Sequence, residues 1–197
     1  MKFIGFYNYT VVLTYLSLVS SMIGIKMAFD GQFFLSMACL AISGICDMFD
    51  GVVARTKKDR TADQKNFGIQ LDSLCDVVCF GVFPAIFMYL NGVDSIFGIA
   101  ALIWFVLCAV IRLAFFNVLE INRQRTEGGA TKSYHGLPVT SVAIILPVFF
   151  LLQYLLPDSA MTVIYYVLSI IVPFMFILDF RVPKFSVDKL LAKKKNK

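Results

Sequence analysis

Polar residues divide the chain into six apolar stretches, at about 10–29, 33–54, 69–90, 96–119, 137–156 and 161–178. Each is near the 20 or so apolar residues that a helix needs to cross a bilayer. Three of the breaks are short and carry no Lys or Arg: Asp30-Gly31-Gln32, Asn91-Gly92-Val93-Asp94 and Pro157-Asp158-Ser159. Short polar turns between apolar runs of this length predict antiparallel neighbours. The expected fold is therefore all-α, an integral membrane bundle of about six transmembrane helices. Residues 1–197 form a single membrane-embedded domain, because the loops leave no room for a separate soluble one.

Composition supports that class and removes others. Of 197 residues, 59% are hydrophobic and 16% are charged, against about 25% charged in a soluble domain. One small soluble globule could not hide so much apolar surface. The first run has a basic start but lacks an A-x-A-like cleavage site and is long enough to span, so it reads as a retained helix. Cys39, Cys46, Cys75, Cys79 and Cys108 all fall in apolar segments without a C-x-x-C pair; they read as reduced packing residues.

The remaining connections are basic. Arg55, Lys57, Lys58, Arg60 and Lys65 follow the second run, Arg123, Arg125 and Lys132 follow the fourth, and a basic tail occupies 181–197. By the positive-inside rule both termini and the two long loops are cytoplasmic. Lys26 breaks the asymmetry and can snorkel from near a helix end. At a membrane, the basic tail is better matched to anionic lipid head groups than to nucleic acid.

Four acids stand where apolar runs should exclude them. Asp47 and Asp50 lie near the end of the second run, and Asp72 and Asp76 near the start of the third. With the two runs antiparallel, all four fall at the cytoplasmic side. The spacings i, i+3 and i, i+4 put each pair on one helix face, with Cβ atoms about 5–6 Å apart. Two carboxylates about 5 Å apart repel by roughly 3 kcal/mol at an effective dielectric near 20. Four cannot all stay ionised unaided, so protons or cations must neutralise them. A hard divalent cation suits an all-oxygen cluster, and Mg²⁺ also takes substrate phosphates as ligands. Gly51 and Ala54 follow Asp47 and Asp50 by one turn, and Gly68 precedes Asp72 by one turn. Small side chains there let a ligand approach the backbone, and Arg55 is placed to grip a phosphate bidentately.

These residues form the pattern D-x-x-D-G-x-x-A-R, a spacer, then G-x-x-x-D-x-x-x-D, spanning Asp47 to Asp76. The pattern resembles the signature of the CDP-alcohol phosphotransferase family. Its twelve-residue spacer, Thr56 to Phe67, is longer than the family's usual one; the extra residues are expected in a charged surface loop. The segments Phe80-Gly81-Val82-Phe83-Pro84-Ala85, Ile111-Arg112-Leu113-Ala114-Phe115-Phe116-Asn117 and Tyr134-His135-Gly136-Leu137-Pro138 resemble the serine-accepting branch that uses CDP-diacylglycerol.

The resemblance implies a homodimer with six spans and an active site open to the cytoplasm. It implies two divalent cations, Mg²⁺ or Mn²⁺, one held by Asp47, Asp50 and Asp72 and a second shared by Asp47, Asp72 and Asp76. Asp76 is then the catalytic base, and Asp47, Asp50, Gly51, Ala54, Arg55, Gly68 and Asp72 seat the CDP part. The implied partners are CDP-diacylglycerol, L-serine and membrane lipids, with no nucleic acid. The lone histidine, His135, reads as a turn or pocket-rim residue. Arg112, inside an apolar run, is the candidate for the acceptor carboxylate, with Asn117 orienting it. Two alternatives stay open: a sister enzyme with another acceptor, such as inositol phosphate or glycerol phosphate, and a cation transporter, which would place its acids nearer the midplane.

Overall fold

The computed structural model describes residues 5–57, 59–125, 133–179 and 181–183, with the side chains of residues 55, 123–125, 133–135 and 181–183 outside the description. Its elements are α1 (Val12–Phe29, after a 3-10 turn Tyr9–Val11), α2 (Phe33–Thr56), α3 (Ala62–Asp76), a π-helical turn (Val77–Val82), α4 (Phe83–Leu90), α5 (Ile96–Arg125), β1 (Ser133–His135), α6 (Val142–Phe150), α7 (Asp158–Ile177) and β2 (Arg181–Pro183). The body is helical. β1 and β2 form one short antiparallel pair, with Ser133 opposite Pro183 and His135 opposite Arg181.

Five helical runs are long and apolar enough to cross a membrane: Tyr9–Phe29, Phe33–Ala54, Ala62–Leu90, Ile96–Asn122 and Asp158–Ile177. The expected fifth run is realised as a shorter one, Val139–Tyr154. It is a nine-residue α-helix containing Pro147, with 3-10 turns of three and four residues at its ends. A 3-10 turn rises about 2.0 Å per residue against 1.5 Å in an α-helix, so the run recovers part of the missing length.

The first helix is built for lipid, with its large side chains outward. Thr10, Thr14, Ser17, Ser21, Gly24 and Ala28 are its buried stripe, while Leu16, Val19, Met22 and Ile23 are exposed. Small residues at three- and four-residue intervals let backbones close up, and their hydroxyls bond across the gap. Ser17 Oγ and Ser43 Oγ are 2.7 Å apart, and Ser20 Oγ donates to the Cys39 carbonyl at 2.9 Å. Gly44 is as tight: a Cβ there would lie 2.4 Å from Ala143 Cβ, which fixes α2 against α6. At the centre, Phe87 packs edge-on against Phe33, Phe150 and Tyr165, with ring centroids 5.7, 5.8 and 5.9 Å away. All five cysteines are free.

The second and third spans differ from the sequence expectation in two ways. The spacer is mostly helix: α2 runs to Thr56 and α3 begins at Ala62, seven residues earlier than the apolar run at 69. Thr61 starts it with a capping box. Its Oγ1 accepts from the Gln64 amide at 3.2 Å, and Gln64 Oε1 accepts from the Thr61 amide at 3.4 Å. Such a box satisfies two orphan donors at once, so the helix nucleates in polar sequence before the apolar run begins. The π-helical turn then follows Asp76 directly. Pro84 has no N–H to give the Phe80 carbonyl, and the chain widens ahead of it, with the Phe83 amide bonding back to Val78. The fourth span also continues past 119, to Arg125.

Contacts sort the loops into two ends. At one end, Tyr9 Oη meets Thr56 Oγ1 at 3.1 Å, Phe6 stacks edge-on against Phe67 at 5.5 Å, and the β1–β2 pair ties the α5–α6 connection to the chain after α7. At the other end, Gly31 and Gly92 take φ of +74° and +100° in the short turns, a conformation that suits glycine. There Tyr166 Oη bonds Ser95 Oγ at 2.7 Å, and Lys26 pairs with Asp30. The basic connections therefore share one end and the acidic turns the other.

Candidate active site

Antiparallel packing of α2 and α3 across α1 brings the four aspartates together at the basic end. Asp47, Asp50 and Asp72 each offer a carboxylate oxygen, and these atoms all lie within 4.8 Å of one another. Asp76, one turn deeper on α3 and 6% exposed, reaches Asp47 carboxyl to carboxyl, and Asp50 reaches Asp72 in the same way. Among the described residues no Lys or Arg side chain lies in ion-pair range of any of the four.

The surroundings fit a hard cation. Asp72 Oδ1 is buried without a hydrogen-bond partner. An acceptor left so in a protein interior costs about 1–3 kcal/mol, more when charged. Oxygen-only donors at this density match a divalent hard ion better than zinc, which favours nitrogen and sulfur. Thr14 contributes from outside the motif: its Oγ1, on a residue 5% exposed, donates to Asp50 Oδ2 at 3.1 Å. That contact joins residues 36 apart in sequence and fixes one carboxylate's orientation.

The small residues flank the cluster toward the loop end. Gly51, Ala54 and Gly68 are all half-buried. Ala54 lies one turn beyond Asp50, and Gly68 one turn before Asp72. A Cβ at Gly68 would find nothing nearer than Arg60 Nη1, at 3.8 Å, so the position borders open space. Arg55 is in the last turn of α2, and its side chain lies outside the described residues.

Arg112 and Asn117 are placed differently from the aspartates. Arg112 is 7% exposed, donates from Nε to the Leu137 carbonyl at 3.4 Å, and has Asp179 as its neighbouring charge. It thus stands where α5 meets the entry to α6 and the end of α7. Leu137 is itself held by its amide on the Met175 carbonyl at 3.0 Å. Asn117 faces α3: its Oδ1 accepts from Ser73 Oγ at 2.7 Å and its Nδ2 donates to Gln70 Oε1 at 3.5 Å. Ser73 follows Asp72 directly, so Asn117 borders the cluster through that neighbour. His135 lies in β1 with its side chain outside the described residues. The tail beyond Pro183 lies outside them as well.

The family model for CDP-alcohol phosphatidyltransferase matches residues 7–177, a stretch that includes all four aspartates. The chain is 36% identical over 141 residues to an archaetidylserine synthase of Methanothermobacter thermautotrophicus, covering 71% of this chain and 56% of the relative. It is 34% identical over 152 residues to a CDP-diacylglycerol–serine O-phosphatidyltransferase of Methanocaldococcus jannaschii, covering 76% and 64%. A protein of the same name from Saccharomyces cerevisiae is 39% identical over 106 residues, covering 52% and 37%. The chain thus spans 56% and 64% of the length of the two archaeal relatives. No solved structure matches it.

Proposed function

Because the chain belongs to the CDP-alcohol phosphatidyltransferase family, we propose that it transfers the phosphatidyl group of CDP-diacylglycerol to the hydroxyl of L-serine, giving phosphatidylserine and CMP. The observation that carries this reading is the convergence of Asp47, Asp50 and Asp72 in a cation-ready cluster, with the buried Asp76 one turn deeper on α3, at one end of a membrane bundle. The relatives named as serine O-phosphatidyltransferases point to the acceptor.

In this reading Asp47, Asp50 and Asp72 hold one divalent cation, and Asp47, Asp72 and Asp76 share in a second, Mg²⁺ or Mn²⁺. Bound cations in such a site offset charge on the diphosphate and on the departing CMP. Gly51, Ala54 and Gly68 leave room for the CDP part to approach the helix backbones, and Arg55 grips a phosphate. Asp76 accepts the proton of the serine hydroxyl. The serine oxygen then bonds to the phosphatidyl phosphorus as the bond from that phosphorus to CMP breaks. Its burial suits Asp76 to the base role, since a site that excludes water also limits hydrolysis of the donor.

Arg112 and Asn117 form the acceptor's side. Arg112, with Nε on the Leu137 carbonyl and Asp179 as its neighbouring charge, is the buried cation on this side that a carboxylate would meet. Such a carboxylate needs a cation, because the four aspartates repel it. The basic end faces the cytoplasm on the positive-inside rule, so the acyl chains stay in lipid while serine arrives from water. The enzyme works as a homodimer in this reading, as the family resemblance implies.

The test is a panel of single acceptors. Purified protein is incubated with CDP-diacylglycerol, Mg²⁺ or Mn²⁺, and one of serine, ethanolamine, inositol phosphate or glycerol phosphate. Mass spectrometry then identifies the lipid product. Phosphatidylserine from serine alone supports the reading. A phosphorylated product from inositol phosphate or glycerol phosphate replaces it with the sister activity, and equal use of ethanolamine and serine refutes carboxylate recognition.

A further inference from the structure

We propose that Arg60, in the spacer between α2 and α3, is a phosphate-binding residue whose guanidinium meets the diphosphate of the nucleotide–lipid donor. The proposal rests on the donor reading given above. Arg60 belongs to none of the fixed positions of the D-x-x-D-G-x-x-A-R and G-x-x-x-D-x-x-x-D motif.

Arg60 Nε is buried and has no hydrogen-bond partner. A charged N–H left so costs more than the 1–3 kcal/mol of a neutral one, and no acceptor among the described residues offsets it. Its Nη1 stands 3.8 Å from the position a Cβ would take at Gly68, with no other atom in that range. The guanidinium therefore forms a wall of the open space that the missing side chain creates. Gly68 precedes Asp72 by one helical turn, about 6 Å along the axis. The cation-ready carboxylates thus begin one turn along α3 from this space, which the Arg60 guanidinium borders.

The groups around it leave the fork free for an anion. No ion pair joins Arg60 to Asp47, Asp50, Asp72 or Asp76 among the described residues. Thr61, next in the chain, commits its hydroxyl and amide to the capping box. The start of α3 adds the positive end of a fifteen-residue helix beside the guanidinium. A phosphate is the ligand that uses all of this, because its oxygens match the Arg fork bidentately and also ligate a hard cation. A lipid headgroup phosphate shares the chemistry. The Gly68 opening, on the motif face of α3, favours the donor's diphosphate.

The experiment measures calorimetric binding of CDP and of cytidine, with Mg²⁺, to the full chain in neutral detergent. Wild type, Arg60→Gln and Arg60→Lys are compared, each with its thermal unfolding. The expected result for Arg60→Gln is a CDP affinity weaker by about tenfold or more, as for a lost charge-assisted hydrogen bond, with cytidine binding unchanged. Arg60→Lys should fall between, since it keeps the charge and loses the fork. CDP affinity equal to wild type in Arg60→Gln overturns the proposal. So does an unchanged CDP affinity accompanied by weaker binding of phosphatidylglycerol vesicles by the reconstituted variant, which would assign Arg60 to a headgroup. If Arg60→Gln does not fold, wild-type CDP affinity in Arg60→Lys overturns it. A wild-type protein that binds no CDP removes the donor reading itself, and Arg60's role with it.

Discussion

Replacing Thr14 by Val keeps the branched shape of a buried side chain and removes one hydroxyl. That hydroxyl is the donor to Asp50 Oδ2 at 3.1 Å. A hydrogen bond to a charged acceptor contributes about 1.5–3 kcal/mol. If all of it is expressed in cation binding, affinity falls roughly 10- to 150-fold at 1.4 kcal/mol per decade. Partners that orient metal ligands typically change affinity or activity by about 10–100-fold when lost, so the expected loss is about tenfold or more. Mn²⁺ titration followed by electron paramagnetic resonance reads this directly, because free Mn²⁺ gives the signal and bound Mn²⁺ broadens out of it. Thr14→Ser restores the hydroxyl and should recover most of the affinity. Mn²⁺ binding by Thr14→Val that is indistinguishable from wild type would exclude this role for the Thr14 hydroxyl, as would a serine variant no better than valine.

Two further predictions separate binding from packing. Arg112→Gln should raise the serine KM far more than that for CDP-diacylglycerol, because it removes binding to one substrate only; equal changes in both, with a lowered unfolding temperature, would make Arg112 a structural clasp on Leu137. Gly44→Ala should destabilise by about 1–3 kcal/mol, as overpacking does, because its Cβ would lie 2.4 Å from that of Ala143, whereas Gly81→Ala meets Ala109 Cβ at an ordinary 3.5 Å and should be nearly neutral. Thermal unfolding of both glycine variants in detergent checks this order, and a reversed order contradicts the packing described.

The aspartate cluster was legible in the sequence because helical spacing and span alternation suffice to place it. Charges in apolar runs need no tertiary information to stand out, and antiparallel neighbours bring the second and third runs together. The early start of α3 was legible too, in Thr61-Ala62-Asp63-Gln64, but hydropathy weighs apolar runs and passes over a capping box in charged sequence. The shortened fifth run and the π-helical turn depend on how Pro147 and Pro84 are accommodated. A proline forbids one bond without saying which replacement forms. Thr14 and Asp50, or Arg112 and Leu137, meet only because of helix rotation and packing, which a single sequence does not encode locally. For Arg112 the sequence marked a costly buried charge, and its carbonyl partner came from a loop 25 residues away.

In the proposed reaction Asp47, Asp50, Asp72 and Asp76 act as one cation-dependent unit for phosphatidyl transfer. The most direct test of this role is CMP release from CDP-diacylglycerol with serine, measured for wild type, Asp72→Asn and Asp76→Asn, each with Mg²⁺ and with EDTA. EDTA should abolish wild-type turnover, and added Mg²⁺ should restore it. Both variants should lose turnover by orders of magnitude while inserting, purifying and melting like wild type. Full wild-type activity in EDTA, or near-normal turnover by Asp76→Asn, would contradict this role of the four aspartates.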